Sequence, residues 1–169
     1  MSSTPVTLRP ERPEDAHSIR VLTEDAFRPK AFSDGTEGLL VGALRDQNAL
    51  LLSTVACEGA EIIGHAAFSP AHIGGQAGWA ALGPIAVRGD RQGQGVGGRL
   101  IQDGLAQLEA SGALGCVLEG DPNYYGRFGF AADDALTYGG KHSRFVQVIA
   151  FGIQKPAGEV TFHPAFYDD

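Results

Sequence analysis

Cysteine is scarce: Cys57 and Cys116 are the only two in 169 residues. They have neither CxxC spacing nor histidines at ligand distance. That pattern argues against a zinc ribbon or a disulfide framework and for free thiols in a reduced compartment. Cys57 has no basic neighbours to lower its pKa, so it is not read as a nucleophile. Cys116 falls in an apolar run and reads as packing. The five histidines form no metal-ligand pattern, so no metal is expected. Basic residues are also few. Thirteen Lys and Arg against twenty Asp and Glu leave a net charge of −7, and no cation excess exists to neutralise a nucleic acid. No apolar run is long enough to span a bilayer, so no membrane partner is expected. The first residues, MSSTPVTLRPERPED, are polar where a secretory leader is apolar, and a cytoplasmic location is the expectation. A Gly-x-Ser-x-Gly elbow is absent, as is a Gly-Lys-Ser/Thr phosphate loop.

Glycine, in contrast, is plentiful, and it is densest between Gly83 and Arg99, GPIAVRGDRQGQGVGGR. The apolar strand Pro84 to Val87 leads into a polar turn, then a glycine loop, then a helix. Glycines there let backbone N–H groups approach a ligand without a Cβ in the way. The first helical N–H groups have no intrahelical partner and favour an anion. The stretch reads as a diphosphate cradle. Arg88, Arg91 and Arg99 surround it, with Asp90 as the one acid against them.

Taken in order, Val6 to Arg9 alternates as a strand. Pro13-Glu14-Asp15 opens a helix that runs to about Phe27, with Ala16, Ile19, Leu22 and Ala26 on one face. A second helix covers roughly Thr36 to Asp46. Leu50 to Cys57 and Ile62 to Ser69 read as a hairpin about Glu58 to Glu61. Pro70 to Gly78 reads as a glycine-rich connection, and Trp79 to Val87 as the next strand. Pro84 lies inside it and implies an edge, a bulge or a splayed pairing, where a ligand could enter. Arg99 to Ser111 is a helix and Ala113 to Glu119 a strand. The unit from Gly78 to Glu119 is therefore β–loop–α–β with parallel strands. Asp121 to Phe128 is a short helix or turn. Phe145 to Ile153 is a strand, and Val160 to Phe162 a last edge strand. One domain over residues 1–169 is expected, with its core at about 5–155 and a tail or edge strand at 156–169.

Two cofactor readings compete for the loop. Gly93-x-Gly95-x-x-Gly98 matches the dinucleotide fingerprint, with Glu119 at the end of the following strand. Against it, Arg88 to Gln92 separate strand from glycine, and too little chain follows to build the remaining parallel strands. The alternative is that Gln92-x-x-Gly95-x-Gly97 resembles the (Gln/Arg)-x-x-Gly-x-(Gly/Ala) signature of the GNAT superfamily of N-acetyltransferases. Downstream, Tyr124-Tyr125-Gly126-Arg127-Phe128-Gly129-Phe130 resembles the family's late Tyr-x-x-x-Gly-Phe element, closest to small uncharacterised bacterial members carrying YYxRFGF. The resemblance covers about Val6 to Ile153.

That resemblance implies an α/β fold. A twisted mixed sheet of about six to seven strands would carry helices on both faces, and its fourth and fifth strands would splay. It implies acetyl-CoA as co-substrate and direct acetyl transfer to a primary amine. Backbone groups of Ile85, Ala86 and Val87 would pair with the pantetheine arm. Gln92, Gly93, Gln94, Gly95, Val96, Gly97 and Gly98 would hold the pyrophosphate, and Asn123 would touch the cofactor. Tyr125 matches the family's general acid, with Tyr124 the core residue. A phenol of pKa ~10 donates to a thiolate of ~8.5 with little resistance. Gly83 and Pro84 stand where many members carry a glutamate base. Glu119 and Asp121 are the remaining candidates, unless Glu119 merely orders its loop. His65 and His72 fall near the acceptor side, where a lone histidine is usually structural. The missing glutamate also admits a catalytically weak acyl-CoA-binding module. The acceptor walls would be the Phe27 to Thr36 loop and the Pro70 to Gly78 connection. The net charge favours a cationic amine such as a polyamine, aminoglycoside or lysine. Family members are often dimers, so a homodimer is an expectation.

Overall fold

The structure, a computed structural model, describes residues 4–167. The ends of the expected domain and tail, at 1–3 and 168–169, lie outside the described residues. Eight strands are present: β1 (Val6–Pro10), β2 (Leu52–Glu58), β3 (Glu61–Ile73), β4 (Gln76–Val87), β5 (Gly115–Glu119), β6 (Leu136–Thr137), β7 (Val146–Ala150) and β8 (Gly158–Thr161). The helices are α1 (Ala16–Phe27), α2 (Glu37–Asp46), α3 (Val96–Ala110) and the one-turn α4 (Pro122–Tyr125). The main path of the sheet is β1-β2-β3-β4-β5-β7, and on it only β4 and β5 run parallel. This is the mixed sheet expected, with β6 as the strand that two-residue length hid from pattern reading.

Helices cover both faces of the sheet. On one side Leu100, Ile101 and Leu108 of α3 pack with Ala66, Phe68 and Leu118. Gly104 is required there: a Cβ at that position would lie 2.3 Å from Cζ of Phe68. On the other side Ile19 of α1 and Val41 of α2 pack on Val55 and Cys57. Pro13–Asp15 forms a 3-10 turn instead of a first α-helical turn. Asp15 accepts the Arg12 N–H at 2.7 Å and is held by Arg9 at 2.7 Å.

Two differences from the sequence reading matter for the site. The segment Pro70 to Gly78 is not a connection. β3 continues to Ile73 and returns through Gly74-Gly75, at φ 60 and 79, so the hairpin needs only two residues. Pro70 sits past Phe68, the last β3 residue paired to β2, where its missing N–H costs no ladder bond on that side. The outer end of β3 then takes β8 as a partner, His72 opposite Thr161 and Ile73 opposite Val160. The second difference is that α3 begins at Val96 and not at Arg99. Val96 is buried, and that packing draws Gly97 and Gly98 into the first helical turn.

Candidate active site

β4 and β5 pair only through Trp79–Ala81 and Gly115–Val117. Beyond that point they part. On the β3 side, Ala66 faces Ile85 and Phe68 faces Leu82, so Gly83 and Pro84 together oppose Ala67 alone. Pro84 is therefore in a bulge, which is where a proline can sit in a sheet. The Arg88 N–H donates to the Ile63 carbonyl at 2.8 Å. Antiparallel alternation then turns the main-chain groups of Ala86 toward His65, and those of Ile85 and Val87 toward the parted edge.

That edge opens into a cavity of about 1430 Å³. Its floor at one end is the glycine loop. Gly93 and Gly95 have φ of 77 and 84, the left-handed region that glycine tolerates. Gly95 is the N-cap of α3, and the first helical bond runs from the Arg99 N–H to the Gly95 carbonyl at 3.0 Å. The N–H groups of Val96, Gly97 and Gly98 thus have no helical partner, and the first turn holds no acid. The side chain of Gln92 donates to the Val87 carbonyl at 3.0 Å and that of Gln94 to the Asp90 carbonyl at 3.3 Å, which braces the turn.

The arginines are more committed than the sequence suggests. Arg88 is bound to Asp90 at 2.7 Å and to Glu61 at 3.0 Å. Arg91 makes a two-pronged pair with Glu58, at 2.9 and 2.8 Å, besides its contact with Asp90. Asp90 is therefore not the sole acid against them; Glu58 and Glu61, brought in by the β2–β3 hairpin, oppose them too. Arg99 donates to the Val6 carbonyl at 2.8 Å. Arg91 and Arg99 still border the cavity, and Arg88 does not. An anion at the loop meets main-chain donors first.

Above the loop stands the α4 segment. Asp121 caps it, accepting the Asn123 N–H at 2.9 Å, so its carboxylate already has a local task. Tyr124 leans over the helix start: a Cβ on Gly97 would lie 2.7 Å from its Oη. Tyr125 packs edge-on to Tyr124 and to Phe130, at 4.9 and 6.1 Å between ring centres. Burial first, then the nearby Tyr124, Asp121 and Cys116, push the Tyr125 phenol up to about 12. Burial also raises the Tyr124 phenol, against the opposing pull of Arg127. Glu119, exposed at the end of β5, borders the same cavity.

Of the residues proposed from sequence, Ile85, Ala86, Val87, Gln92, Gly93, Gly95, Val96, Gly97, Gly98, Glu119 and Tyr125 all line this one cavity. Gln94 and Asn123 do not, the first because it faces Asp90 and the second because it faces outward from α4. Neither histidine of the acceptor side lines it either. His72 is exposed on the outer end of β3. His65 is fully buried, with Nε2 2.8 Å from the Ser53 hydroxyl, which also binds Glu11. Arg45 of α2 closes the cluster on Glu11 at 2.7 Å. Desolvation drives the His65 pKa down to about 4, so the ring is neutral and structural.

The sequence profile of the acetyltransferase (GNAT) family matches residues 16–130. The chain belongs to the GNAT family. Among curated relatives it is 37% identical over 125 residues to the uncharacterized N-acetyltransferase YhbS of Escherichia coli K12, covering 73% of this chain and 72% of that one. It is 35% identical over 120 residues to the uncharacterized N-acetyltransferase YjhQ of the same strain, covering 69% and 64%. A GNAT acetyltransferase from Brucella melitensis, solved in complex with acetyl-CoA, superposes with a TM-score of 0.85 at 49% identity, over 96% of this chain and 99% of that one. Escherichia coli YhbS in complex with CoA superposes with a TM-score of 0.88 at 30% identity, over 99% and 95%. The dinucleotide reading of the glycine loop falls with these matches.

Sequence reasoning missed the far end of the GNAT cavity. Phe27 and Phe32, from the expected Phe27 to Thr36 segment, line it, and Leu40 of α2 joins them. Facing them are Tyr138, Phe145, Phe162 and Phe166, and not the Pro70 to Gly78 hairpin. Phe162 and Phe166 stack at 5.2 Å because a 3-10 turn, Pro164–Tyr167, follows β8. The only signal was the Phe162-His163-Pro164-Ala165-Phe166 spacing. Its meaning depends on β8 pairing with β3, which no local pattern announces.

Proposed function

We propose that this GNAT protein is an acetyl-CoA-dependent N-acetyltransferase that passes the acetyl group directly to a primary amine. The observation that carries this reading is the parting of β4 from β5 beside a glycine-built helix start. The residues fit an acyl-CoA. Ile85 and Val87 turn main-chain groups to the open edge, as a missing strand would need. The unpartnered N–H groups from Val96 to Gly98 suit a diphosphate. The solved relatives with acetyl-CoA and CoA support the same ligand class.

Acetyl-CoA supplies an activated thioester carbonyl; the chain supplies alignment and proton handling. A main-chain N–H of β4 polarises the carbonyl oxygen. The amine nitrogen forms a bond to the carbonyl carbon, the carbon–sulfur bond breaks, and the amine's surplus proton ends on sulfur or solvent. Glu119, on the cavity wall, accepts the proton from nitrogen and passes it to solvent, from which the released thiolate takes one up. Tyr125 donates a hydrogen bond to the departing sulfur. With its phenol pushed up to about 12, full transfer to a thiolate of ~8.5 is uphill at about 1.4 kcal/mol per unit, so the bond and not the proton is its contribution.

The test is thiol release from acetyl-CoA against a panel of primary amines, with CoA affinity measured by calorimetry in parallel. Turnover with micromolar CoA binding is expected. No binding of CoA or acetyl-CoA at millimolar concentration would overturn the reading. Binding with no turnover of any amine would favour an acyl-CoA-binding module.

A further inference from the structure

The end of the cavity away from the glycine loop is built mainly from aromatic rings. Phe27 and Phe32 meet edge-on at 6.3 Å on one wall. Elsewhere in the lining Tyr138 meets Phe162 edge-on at 5.3 Å, and Phe162 stacks on Phe166 at 5.2 Å. Phe145 completes it, with the Arg144 guanidinium 4.4 Å from its ring centre. Two of these rings are out of place energetically. Phe32 is 79% exposed and Phe145 43%. Among the described residues they are the only exposed phenylalanines, and both border this cavity. Exposed single apolar residues are ordinary, but two phenylalanines from distant segments at the rim of one cavity mark a surface that a ligand covers.

The charges at this end are sparse. Glu37, Glu119 and Asp121 line the wall, with Lys30 beside them and the Arg144 guanidinium over Phe145. The Glu37 carboxylate is bound by the Ser33 hydroxyl. The Glu119 carboxylate faces the Tyr138 phenol closely enough to raise it, after burial and Tyr167. A polyamine or a sugar-borne amine needs several spaced carboxylates or hydrogen-bonding groups. Here Asp121 caps α4 and Glu37 is bound by Ser33, which leaves Glu119 to meet an ammonium beside a wall rich in aromatic rings.

Resting on the transferase reading above, we infer that the acceptor is a primary amine carried on an aromatic group, an arylalkylamine, whose ring slots between the Phe32 and Phe145 rims while its nitrogen points to Glu119. Aromatic rings gain from edge and offset contacts beyond area alone, which favours a flat ring over an alkyl chain of equal size.

The test uses 2-phenylethylamine, hexylamine, spermidine and free lysine, each as acetyl acceptor and each titrated into CoA-saturated protein. The expected order in kcat/KM is 2-phenylethylamine first, at least tenfold above spermidine and lysine. Phe145→Ala, at an exposed position that leaves the core intact, is expected to raise KM for 2-phenylethylamine about tenfold, with kcat and CoA affinity nearly unchanged. Phe32→Ala is expected to do the same. A preference for spermidine or lysine overturns the inference. So does an unchanged KM in both variants, or absent 2-phenylethylamine binding in protein that still binds CoA. Binding of 2-phenylethylamine that Phe145→Ala weakens, with no acetyl transfer to any amine, keeps the ligand class and sinks the transferase reading; no transfer to it while another amine is acetylated overturns the inference.

Discussion

The two ends of the cavity are made of different material. The glycine-loop end is main chain: the outward groups of Ile85 and Val87, the turn from Gln92 to Gly95 and the bare N–H groups of the α3 start. The aromatic end is side chain, gathered from the loop after α1, from α2, from the segments around Tyr138 and Phe145, and from the turn after β8. Backbone recognition asks only for a conformation, so a short continuous run can encode it. A side-chain wall asks for several distant segments to meet, so no single run encodes it. The first end suits a ligand that many proteins share; the second suits one that differs between them.

The sharpest way to separate the two is Tyr125→Phe, which removes a hydroxyl at their junction. It is expected to lower kcat about 10²-fold while CoA and amine affinities stay within about twofold, read by steady-state kinetics and calorimetry. Equal losses in kcat and CoA affinity would instead make Tyr125 a packing residue of the first end.

Acidification comes next and acts on the buried cluster tied to α2 through Arg45. The buried His65 has a folded pKa of about 4 against 6.5 when unfolded. Its contribution is fully present above pH 6.5 and is lost as pH falls toward 4, because the unfolded chain binds the proton more readily. By pH 5 this amounts to about 2 kcal/mol. Glu11, which desolvation raises but Arg45 and Ser53 hold lower on balance, adds a loss below its usual carboxylate range. Arg45 belongs to α2, so hydrogen exchange at pH 5 is expected to accelerate in α2 before α3. Exchange rising first in α3 would break the distinction.

The smallest effect is Gly95→Ala. A Cβ at φ 84 costs about 1 to 2 kcal/mol, so CoA affinity is expected to fall about tenfold. Binding of 2-phenylethylamine to the apoprotein is expected to stay unchanged.

The same contrast explains what was legible. Strand, glycine loop, helix and strand from Gly83 to Glu119 follow one another in sequence and in space, so their order and parallel pairing could be read directly. Pro84 narrowed its segment to an edge, a bulge or a splayed pairing, and the register with β3 shows the bulge. The start of α3 was misread by three residues because Val96 packs inward, and burial overrode the weak helix propensity of Gly97 and Gly98. Pro70 read as a strand end, yet β3 runs on through it because the β2 partner stops at Phe68, a fact of register and not of composition. The Arg88 and Arg91 ion pairs with Glu61 and Glu58 cross from one hairpin to another segment, and no local rule joins them.

β8 clips onto the outer end of β3 and delivers Phe162 and Phe166 in a single short piece. That piece is anchored at His72 and Ile73, at the opposite end of β3 from Gly64, which pairs with Val87 ahead of the glycine loop. On the proposed function, exchanging residues 158–167 for a relative's is expected to change the order of preference in the amine panel and to leave CoA affinity, read by calorimetry, unchanged.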